Sequence, residues 1–339
     1  MKKAYKLMFL VLLMISTLIT ISSYTWLSMW IGLEINILSM ISLMNSSLLM
    51  NSPESMIKYY LIQTISSSLI MMCIIIESLQ KNFFMNMKLE SKIMILMNLG
   101  LLTKMGTAPF HFWLPEVVEG INWMNTFLIL TWQKIAPSII IMMNAEFNLI
   151  LLTMILISMV MSGVSSLNQN SMRKILAYSS INHMGWMLSS MFIFQNIWLI
   201  YFCIYMILMT CFISILNYFK IFFINQLNNI NSNVYTKMLI LINLLSMGGI
   251  LPFIGFFPKW LIIQALIENK MIILSLMTTI LALIMIYIYI RISLSVMTMS
   301  SKKTKWLMIK KNYNSMLISI VNLIIMVSLI LSTISFNMM

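Results

Sequence analysis

Long hydrophobic stretches are the feature that most limits how this chain of 339 residues can fold. Each is about 17–26 residues long, which lets a helix cross a hydrocarbon layer of roughly 30 Å. Only 9% of the residues are charged, against about 25% in soluble domains, so a soluble fold is excluded. The sequence predicts an all-α polytopic membrane protein with eleven transmembrane helices, near 7–24, 26–50, 57–79, 93–113, 123–143, 147–168, 174–193, 197–219, 238–262, 271–296 and 315–337.

The net charge of +13 predicts orientation in the membrane. Thirteen Lys and Arg residues fall on the side of the N-terminus and four on the other side. Because short basic loops stay on the inner side, we expect the N-terminus inside and the C-terminus outside. No basic stripe with interleaved aromatic residues occurs, so nucleic acid is not an expected partner.

Two segments 143 residues apart resemble each other and indicate an internal repeat. Both 106–116 and 249–259 carry a Gly, a Pro-Phe pair and a second Pro at matching positions. Two prolines six residues apart interrupt a helix, so the fourth and ninth spans should be broken near 106–115 and 249–258. An odd number of spans per repeat inverts the second copy, as in secondary transporters. The predicted divisions are two inverted five-helix repeats, at 1–146 and 147–296, followed by a basic loop and C-terminal helix at 297–339.

Four charged side chains lie at membrane depth, where interfacial snorkelling does not account for them. They are Glu34, Lys104, Lys134 and Lys259. Each costs about 2.5–3.5 kcal/mol on insertion scales, so a functional reason is expected. Buried lysines can exchange protons with neighbouring groups near neutral pH, which favours a proton relay. A structural ion pair between Glu34 and one lysine is the alternative, but it leaves the other lysines unexplained.

Two histidines are further candidates for the relay. His111 lies between the prolines of the first break, and His183 lies within the seventh span. Imidazole can donate and accept a proton, although a lone buried histidine can equally be structural. Cys73, Cys203 and Cys211 lie in apolar stretches without metal-ligand spacing, so we expect buried apolar side chains and no metal site.

Five segments carry a family resemblance that extends over essentially the whole chain. They closely resemble NADH dehydrogenase (ubiquinone) subunit 2, an antiporter-like subunit of mitochondrial respiratory complex I. The abundance of Met and the absence of Asp resemble the composition of proteins encoded by AT-rich mitochondrial genomes, such as those of insects. The segments are WIGLEIN at 30–36, GTAPFHFWLPE at 106–116, TWQKIAP at 131–137, LNQNSMRKILAYSSI at 167–181 and GGILPFIGFFPKW at 248–260.

The resemblance implies a proton-pumping core subunit of an enzyme complex, in the inner mitochondrial membrane with the N-terminus in the matrix and the C-terminus in the intermembrane space. It implies that Glu34 and Lys104 form a coupled pair, that Lys134 is the central relay and that Lys259 is the terminal group. NAD, FMN, iron–sulfur clusters and ubiquinone are expected on other subunits, with none bound by this chain. Expected partners are other membrane-arm core subunits, including a second antiporter-like subunit and small hydrophobic subunits, together with accessory subunits and membrane lipid such as cardiolipin.

Two other functions remain open from the sequence. The chain could be a free-standing cation/proton antiporter, for which Na⁺ exchange by the isolated chain would be the sign. It could also be an assembly scaffold of the membrane arm whose buried charges only fix helix packing. Neutralising Lys104 or Lys259 would then abolish assembly rather than pumping.

Overall fold

Helices make up nearly all of the computed structural model, which describes residues 2–45, 51–81, 91–144, 149–191, 193–228 and 234–298. Within these ranges the only β-type pairing is one isolated bridge between Ser171 and Phe223. The helices are α1 (Lys2–Ser22), α2 (Trp26–Met44), α3 (Ser52–Lys81), α4 (Ser91–Met105), α5 (Trp113–Glu119), α6 (Trp123–Leu130), α7 (Ile135–Met143), α8 (Leu149–Ser166), α9 (Met172–Met191), α10 (Gln195–Phe219), α11 (Ile224–Asn228), α12 (Val234–Gly248), α13 (Phe256–Glu268) and α14 (Ile272–Thr298), with a 3-10 turn at Trp132–Lys134.

The all-helical membrane fold predicted from the sequence is confirmed. Helices occupy each predicted span from the first to the tenth. Six stretches of the described chain are long and apolar enough to cross a membrane. The eleventh predicted span, at 315–337, lies outside the described residues. The total of eleven spans and the inverted repeats, with their boundaries at 146 and 296, stay predictions.

The chain forms two compact units, one ending at Asn148 and the other beginning at Leu149. In unit 1, α1 packs on α2, α2 on α3, and α3 on α4. Glycines permit these close approaches: a Cβ added at Gly32 would lie 2.5 Å from the Cγ2 atom of Thr20. In unit 2, α9 contacts α8, α10, α13 and α14. Every side chain of α9 from Ser179 to Met191 is buried, so α9 is the central helix of unit 2.

The predicted interruptions of the fourth and ninth spans are confirmed. Helix α4 ends before Gly106 and α12 ends before Gly249, and these glycines have positive φ values of 71° and 74°. Around Gly106, the N–H groups of residues 106 and 107 donate to the carbonyls of residues 103 and 102. The same pattern recurs around Gly249, with donors 249 and 250 and acceptors 246 and 245. Both helices therefore end in the same glycine-dependent motif, in which backbone carbonyls of the last turn are satisfied locally.

A third interruption divides the fifth span, and the sequence analysis missed it. Helix α6 ends at Leu130, and the 3-10 turn Trp132–Lys134 precedes α7. Pro137 lies in the first turn of α7, where a missing N–H costs little because helix-terminal N–H groups lack intrahelical partners anyway. The Thr131 hydroxyl donates to the Phe127 carbonyl at 2.6 Å, which satisfies part of the end of α6. This proline is the local signal for a second helix start inside the span.

Replacing Gly249 with Ala should destabilise the junction between α12 and α13. The left-handed conformation disfavours a side chain by roughly 1–2 kcal/mol. In addition, the new Cβ would lie 2.8 Å from the Nζ atom of Lys259. We expect a lower midpoint of thermal unfolding in detergent for Gly249→Ala than for the unsubstituted chain.

Gly248→Ala is the matched control, because its Cβ would meet its nearest neighbour, Tyr289, at 3.3 Å without a positive φ. An equal fall in the midpoint of thermal unfolding for the two variants would contradict a special role for the left-handed backbone conformation at Gly249.

Candidate functional site

Glu34 and Lys104 form the charged centre of unit 1. Lys104 lies in the last turn of α4 and is buried, and its Nζ atom has no hydrogen-bond partner among the described residues. Glu34, on α2, is partly buried and interacts electrostatically with Lys104. No ion pair within 4.0 Å joins the two in the described structure. The pair is thus close enough for each charge to influence the other, without the contact that would neutralise both.

Lys134 lies in the 3-10 turn of unit 1 and is only 2% exposed. Helix α4, which carries Lys104, packs against both this turn and α7. The neighbouring residue Gln133 donates from Nε2 to Oδ1 of Asn36 at 3.0 Å. Asn36 follows Glu34 by two residues on α2. A direct hydrogen bond therefore joins the helix of the acidic residue to the turn of the buried lysine.

The end of α4 receives two further side-chain hydrogen bonds. Gln63 on α3 donates from Nε2 to the Lys104 carbonyl at 3.3 Å. Trp113, the first residue of α5, donates from Nε1 to the Thr103 carbonyl at 3.2 Å. Carbonyls in the last turn of a helix lack intrahelical donors, so these bonds hold the backbone at Lys104 in place.

His111 lies in the loop between α4 and α5 and is buried. Its Nδ1 atom lies 3.3 Å from the Pro109 carbonyl oxygen, and its ring stacks at an angle on Phe112. These contacts lie within its own loop. The described contacts therefore do not join His111 to the charged residues of unit 1.

Lys259 lies near the start of α13 in unit 2 and is buried. Its Nζ atom donates across the break to the Gly248 carbonyl at 2.6 Å. A positive charge is favoured there, because the C-terminal end of α12 carries the negative end of the helix dipole. Lys259 thus serves as a charged cap for the helix that precedes it.

His183 lies within α9 and is buried with a specific partner. Its Nδ1 atom is 2.8 Å from the hydroxyl oxygen of Tyr201 on α10. Helix α13, which carries Lys259, packs against both α9 and α10. Unit 2 therefore brings the helices of both predicted residues into contact.

Several residues of this environment were missed or misjudged from sequence. Asn36, Gln133 and Tyr201 act through long-range hydrogen bonds, and no local pattern signals them. Glu77 near the end of α3 is also buried, and the sequence analysis did not single it out. Helical spacing could have indicated this burial, because Glu77 continues a series of buried α3 positions three or four residues apart. The series is 59, 63, 66, 70, 73 and 77. Cys203 is exposed, so the expectation of a buried side chain is wrong there.

Comparisons with known proteins agree with this architecture. The profile of the family described as NADH:quinone oxidoreductase/Mrp antiporter, TM, matches residues 23–285. The NADH-ubiquinone oxidoreductase chain 2 of Anopheles gambiae is 42% identical over 269 residues, which cover 79% of this chain and 78% of that protein. The Aedes aegypti protein of the same name is 43% identical over 68% of this chain and 69% of its own length.

This chain belongs to that antiporter family. Its curated relatives carry the name NADH-ubiquinone oxidoreductase chain 2, so the resemblance found in the sequence is confirmed. Respiratory complex I from Thermus thermophilus contains a chain with the same fold, with a TM-score of 0.84 and 18% identity over 96% of this chain and 78% of that chain. The Mrp complex from Dietzia contains another, with a TM-score of 0.75 and 14% identity over 86% of this chain and 59% of that one.

Asn36→Ala should weaken the contact between α2 and the 3-10 turn. The substitution leaves the Gln133 amide without its acceptor, at a cost of about 1 kcal/mol. We expect a lower midpoint of thermal unfolding in detergent. Ser42→Ala on the same helix is the control, because the Ser42 hydroxyl bonds only to the Ser39 carbonyl of its own helix. The assignment fails if Asn36→Ala unfolds at the same temperature as Ser42→Ala.

Proposed function

We propose that this chain is a proton-translocating, antiporter-like core subunit of a proton-pumping NADH:ubiquinone oxidoreductase. One observation carries the proposal: the three lysines that are buried in the described part of the chain all lie at helix interruptions inside an apolar helical protein. Lys104 precedes the first break, Lys134 lies in the 3-10 turn, and Lys259 follows the second break. Interrupted helices place free backbone groups at membrane depth, and these groups are tolerated where protein or water satisfies them.

Structural packing alone does not explain these charges. Each buried charge costs about 2.5–3.5 kcal/mol. Lys104 has Glu34 as an electrostatic partner, whereas the Lys259 ammonium group bonds to a backbone carbonyl. A neutral donor would satisfy that carbonyl at lower cost. The positive charge is therefore better explained by proton exchange than by helix packing.

Electrostatic coupling within unit 1 is strong enough to drive the proposed cycle. Changing one charge at a distance of about 7 Å, with an effective dielectric constant near 20, alters the energy of a neighbouring charge by roughly 2.4 kcal/mol. Moving one proton against 100 mV costs about 2.3 kcal/mol. A change in the Glu34–Lys104 pair can therefore control whether Lys134 holds or releases its proton. Lys259 serves as the terminal proton-carrying group, and His111 and His183 are the further relay candidates.

The names of the relatives support assignment to a larger redox assembly. We propose that NADH oxidation and ubiquinone reduction take place on other subunits, which hold the NAD, FMN and iron–sulfur groups. The chain lies with other membrane-arm core subunits in the inner mitochondrial membrane. Its N-terminus faces the matrix, where its basic loops can meet anionic lipid such as cardiolipin.

Lys134→Ala should greatly slow proton pumping by the intact complex in proteoliposomes. Removing a positioned proton-transfer group lowers rates by about 10²–10⁴-fold. We therefore expect at least a tenfold fall in NADH-driven vesicle acidification. Lys134→Arg keeps the positive charge but does not release its proton near neutral pH, so it should also fail to pump while still assembling.

Lys92→Ala is the control, because Lys92 is exposed near the start of α4. Full pumping by Lys134→Arg would instead favour a packing role for the charge. Pumping that required Na⁺ in stoichiometric exchange would favour a cation/proton antiporter.

Glu34→Gln and Lys104→Met should have strongly non-additive effects on the pumping rate. Residues that act as one charged pair couple by about 0.5–3 kcal/mol in a double-mutant cycle. We expect the double variant to pump about as slowly as the worse single variant. Glu268→Gln, at an exposed position, combined with Lys104→Met is the control cycle and should be additive. Additive effects in the first cycle would exclude a coupled pair.

A further inference from the structure

A pocket of about 500 Å³ lies at one end of unit 2 and plays no part in the proton-translocating function proposed above. Its wall is formed by the loop that follows α8, the first turn of α9, α11 and the last turns of α14. Sites for small molecules in proteins have volumes of roughly 300–1,000 Å³, so the pocket is large enough for a lipid headgroup. We name it the α14 pocket, and its polar lining includes Asn168, Gln169, Asn170, Asn225, Arg291 and Ser295.

Arg291 brings a positive charge to the α14 pocket, and most of its hydrogen-bond donors are available. The residue is exposed, and its one hydrogen bond to the described residues runs from Nη1 to the Leu167 carbonyl at 3.3 Å. A guanidinium group carries five N–H donors, so most of them are left for a ligand or for water. In the described part of the chain no carboxylate lies within 4.0 Å of this group.

The sequence of unit 2 offers almost no carboxylate to balance this charge. Between residues 149 and 339 the only acidic residue is Glu268. Glu268 ends α13, and α14 begins at Ile272, so the acid lies near the opposite end of α14 from Arg291. Along the helix, position 272 is about 28 Å from position 291. The charge of Arg291 is therefore balanced by something other than an acidic side chain of its own unit.

Other basic residues lie at the same end of unit 2. Arg173 and Lys174 are in the first turn of α9, and Lys220 follows the end of α10. Arg173 is already engaged, because its guanidinium group stacks on the Phe222 ring at 4.7 Å. A headgroup with a cationic amine would be repelled here, whereas a headgroup that carries phosphate without an amine would be attracted. The electrostatic environment therefore favours a ligand with a net negative charge.

An exposed apolar face of α14 begins at the α14 pocket and follows the helix towards its other end. Its side chains are three or four residues apart, so they lie on one side of the helix. Arg291 follows Tyr287 by one helical turn and continues the same face. A phospholipid has the same order of parts, with a charged phosphate group followed by apolar acyl chains. The apolar face consists of Leu276, Ile280, Leu283, Tyr287 and Leu294, each of them more than half exposed.

Two structural explanations account for Arg291 less well. An arginine near the end of a membrane helix can extend to the interface, but a lysine does this equally well. Arg291 also caps the carbonyl that follows α8, yet this bond is 3.3 Å long and uses one donor. Of the 21 Lys and Arg residues in the chain, two are Arg. The planar guanidinium fork binds phosphate through two parallel hydrogen bonds, a geometry that an ammonium group lacks.

We propose that the α14 pocket binds the phosphate group of an anionic phospholipid whose headgroup carries no amine. Arg291 donates to two phosphate oxygens, and the side-chain amides of Asn168 and Asn225 supply further N–H donors from the pocket wall. The acyl chains lie along the apolar face of α14. This gives the contact with anionic lipid a defined site on α14, outside the basic loops, and it does not depend on proton translocation.

Photo-crosslinking tests the site in the intact membrane complex that contains this chain. The complex is reconstituted in phosphatidylcholine vesicles with a small fraction of a phosphatidylglycerol probe, which carries a diazirine at the headgroup end of an acyl chain. Mass spectrometry then measures labelling of residues 283–295 of α14. We expect this probe to label the segment about tenfold more than a phosphatidylcholine probe with the same diazirine. Equal labelling by the two probes would overturn the site, and this comparison requires no substitution.

Arg291→Gln removes the charge and the guanidinium fork but keeps a polar side chain. We expect labelling by the phosphatidylglycerol probe to fall to the level of the phosphatidylcholine probe. Arg291→Lys keeps the charge without the fork and should lose most of the preference as well. Lys220→Gln is the matched control, because it removes one exposed positive charge at the same end of unit 2 from outside the pocket wall. An equal fall in Lys220→Gln would indicate a general attraction of anionic lipid and would overturn the site.

Inorganic phosphate tests whether the pocket takes a lipid or a free anion. Added to the unsubstituted complex, it should leave labelling by the phosphatidylglycerol probe the same as in sodium chloride of equal ionic strength. Loss of labelling in phosphate but not in chloride would assign the pocket to free phosphate and overturn the lipid. Slow pumping by Lys134→Ala is expected with or without the lipid site, so failure of the site and failure of the proposed function are distinguishable.

Discussion

Backbone carbonyls at the interrupted ends of α4 and α12 must find donors inside the protein, because hydrocarbon offers none. The rest of the fold follows from how this requirement is met. Gly106 and Gly249 turn the chain so that local N–H groups reach part of each last turn. Side chains from the segment beyond each break then complete the ends, Trp113 in one unit and Lys259 in the other. The interruptions therefore behave as defined joints, and they fix where the buried lysines lie.

The polar interior of unit 2 depends on the burial of α9. Helix α9 is surrounded by other helices from Ser179 onward, so it can carry serine, asparagine and histidine without exposing them to lipid. Most of its hydroxyls bond to carbonyls one turn back, which satisfies them without a partner helix. His183 departs from this pattern by bonding to a tyrosine on α10. A buried polar helix of this kind provides a hydrophilic interior while the outer helices supply the apolar surface.

The sequence predicted those features that depend on local signals. Hydrophobic length located the described spans, paired prolines located two of the three interruptions, and charge at membrane depth located Lys104, Lys134 and Lys259. The third interruption was missed because Pro137 in a single span has no partner proline to mark the break. Hydrogen bonds such as Asn36–Gln133 and His183–Tyr201 join residues far apart in the chain. Their pairing depends on which helices become neighbours, and residue spacing alone does not contain that information.

The two joints share a backbone geometry but differ in the chemistry of their caps. An indole N–H closes the end of α4 at Thr103 and stays electrically neutral at every physiological pH. An ammonium group closes the end of α12 at Gly248 and carries a charge that is lost when the group releases a proton. The cap at the end of α4 therefore does not change with pH. The cap at the end of α12 depends on whether the Lys259 side chain is charged. The same backbone motif thus occurs once with a cap that is always neutral and once with a cap that carries a titratable charge.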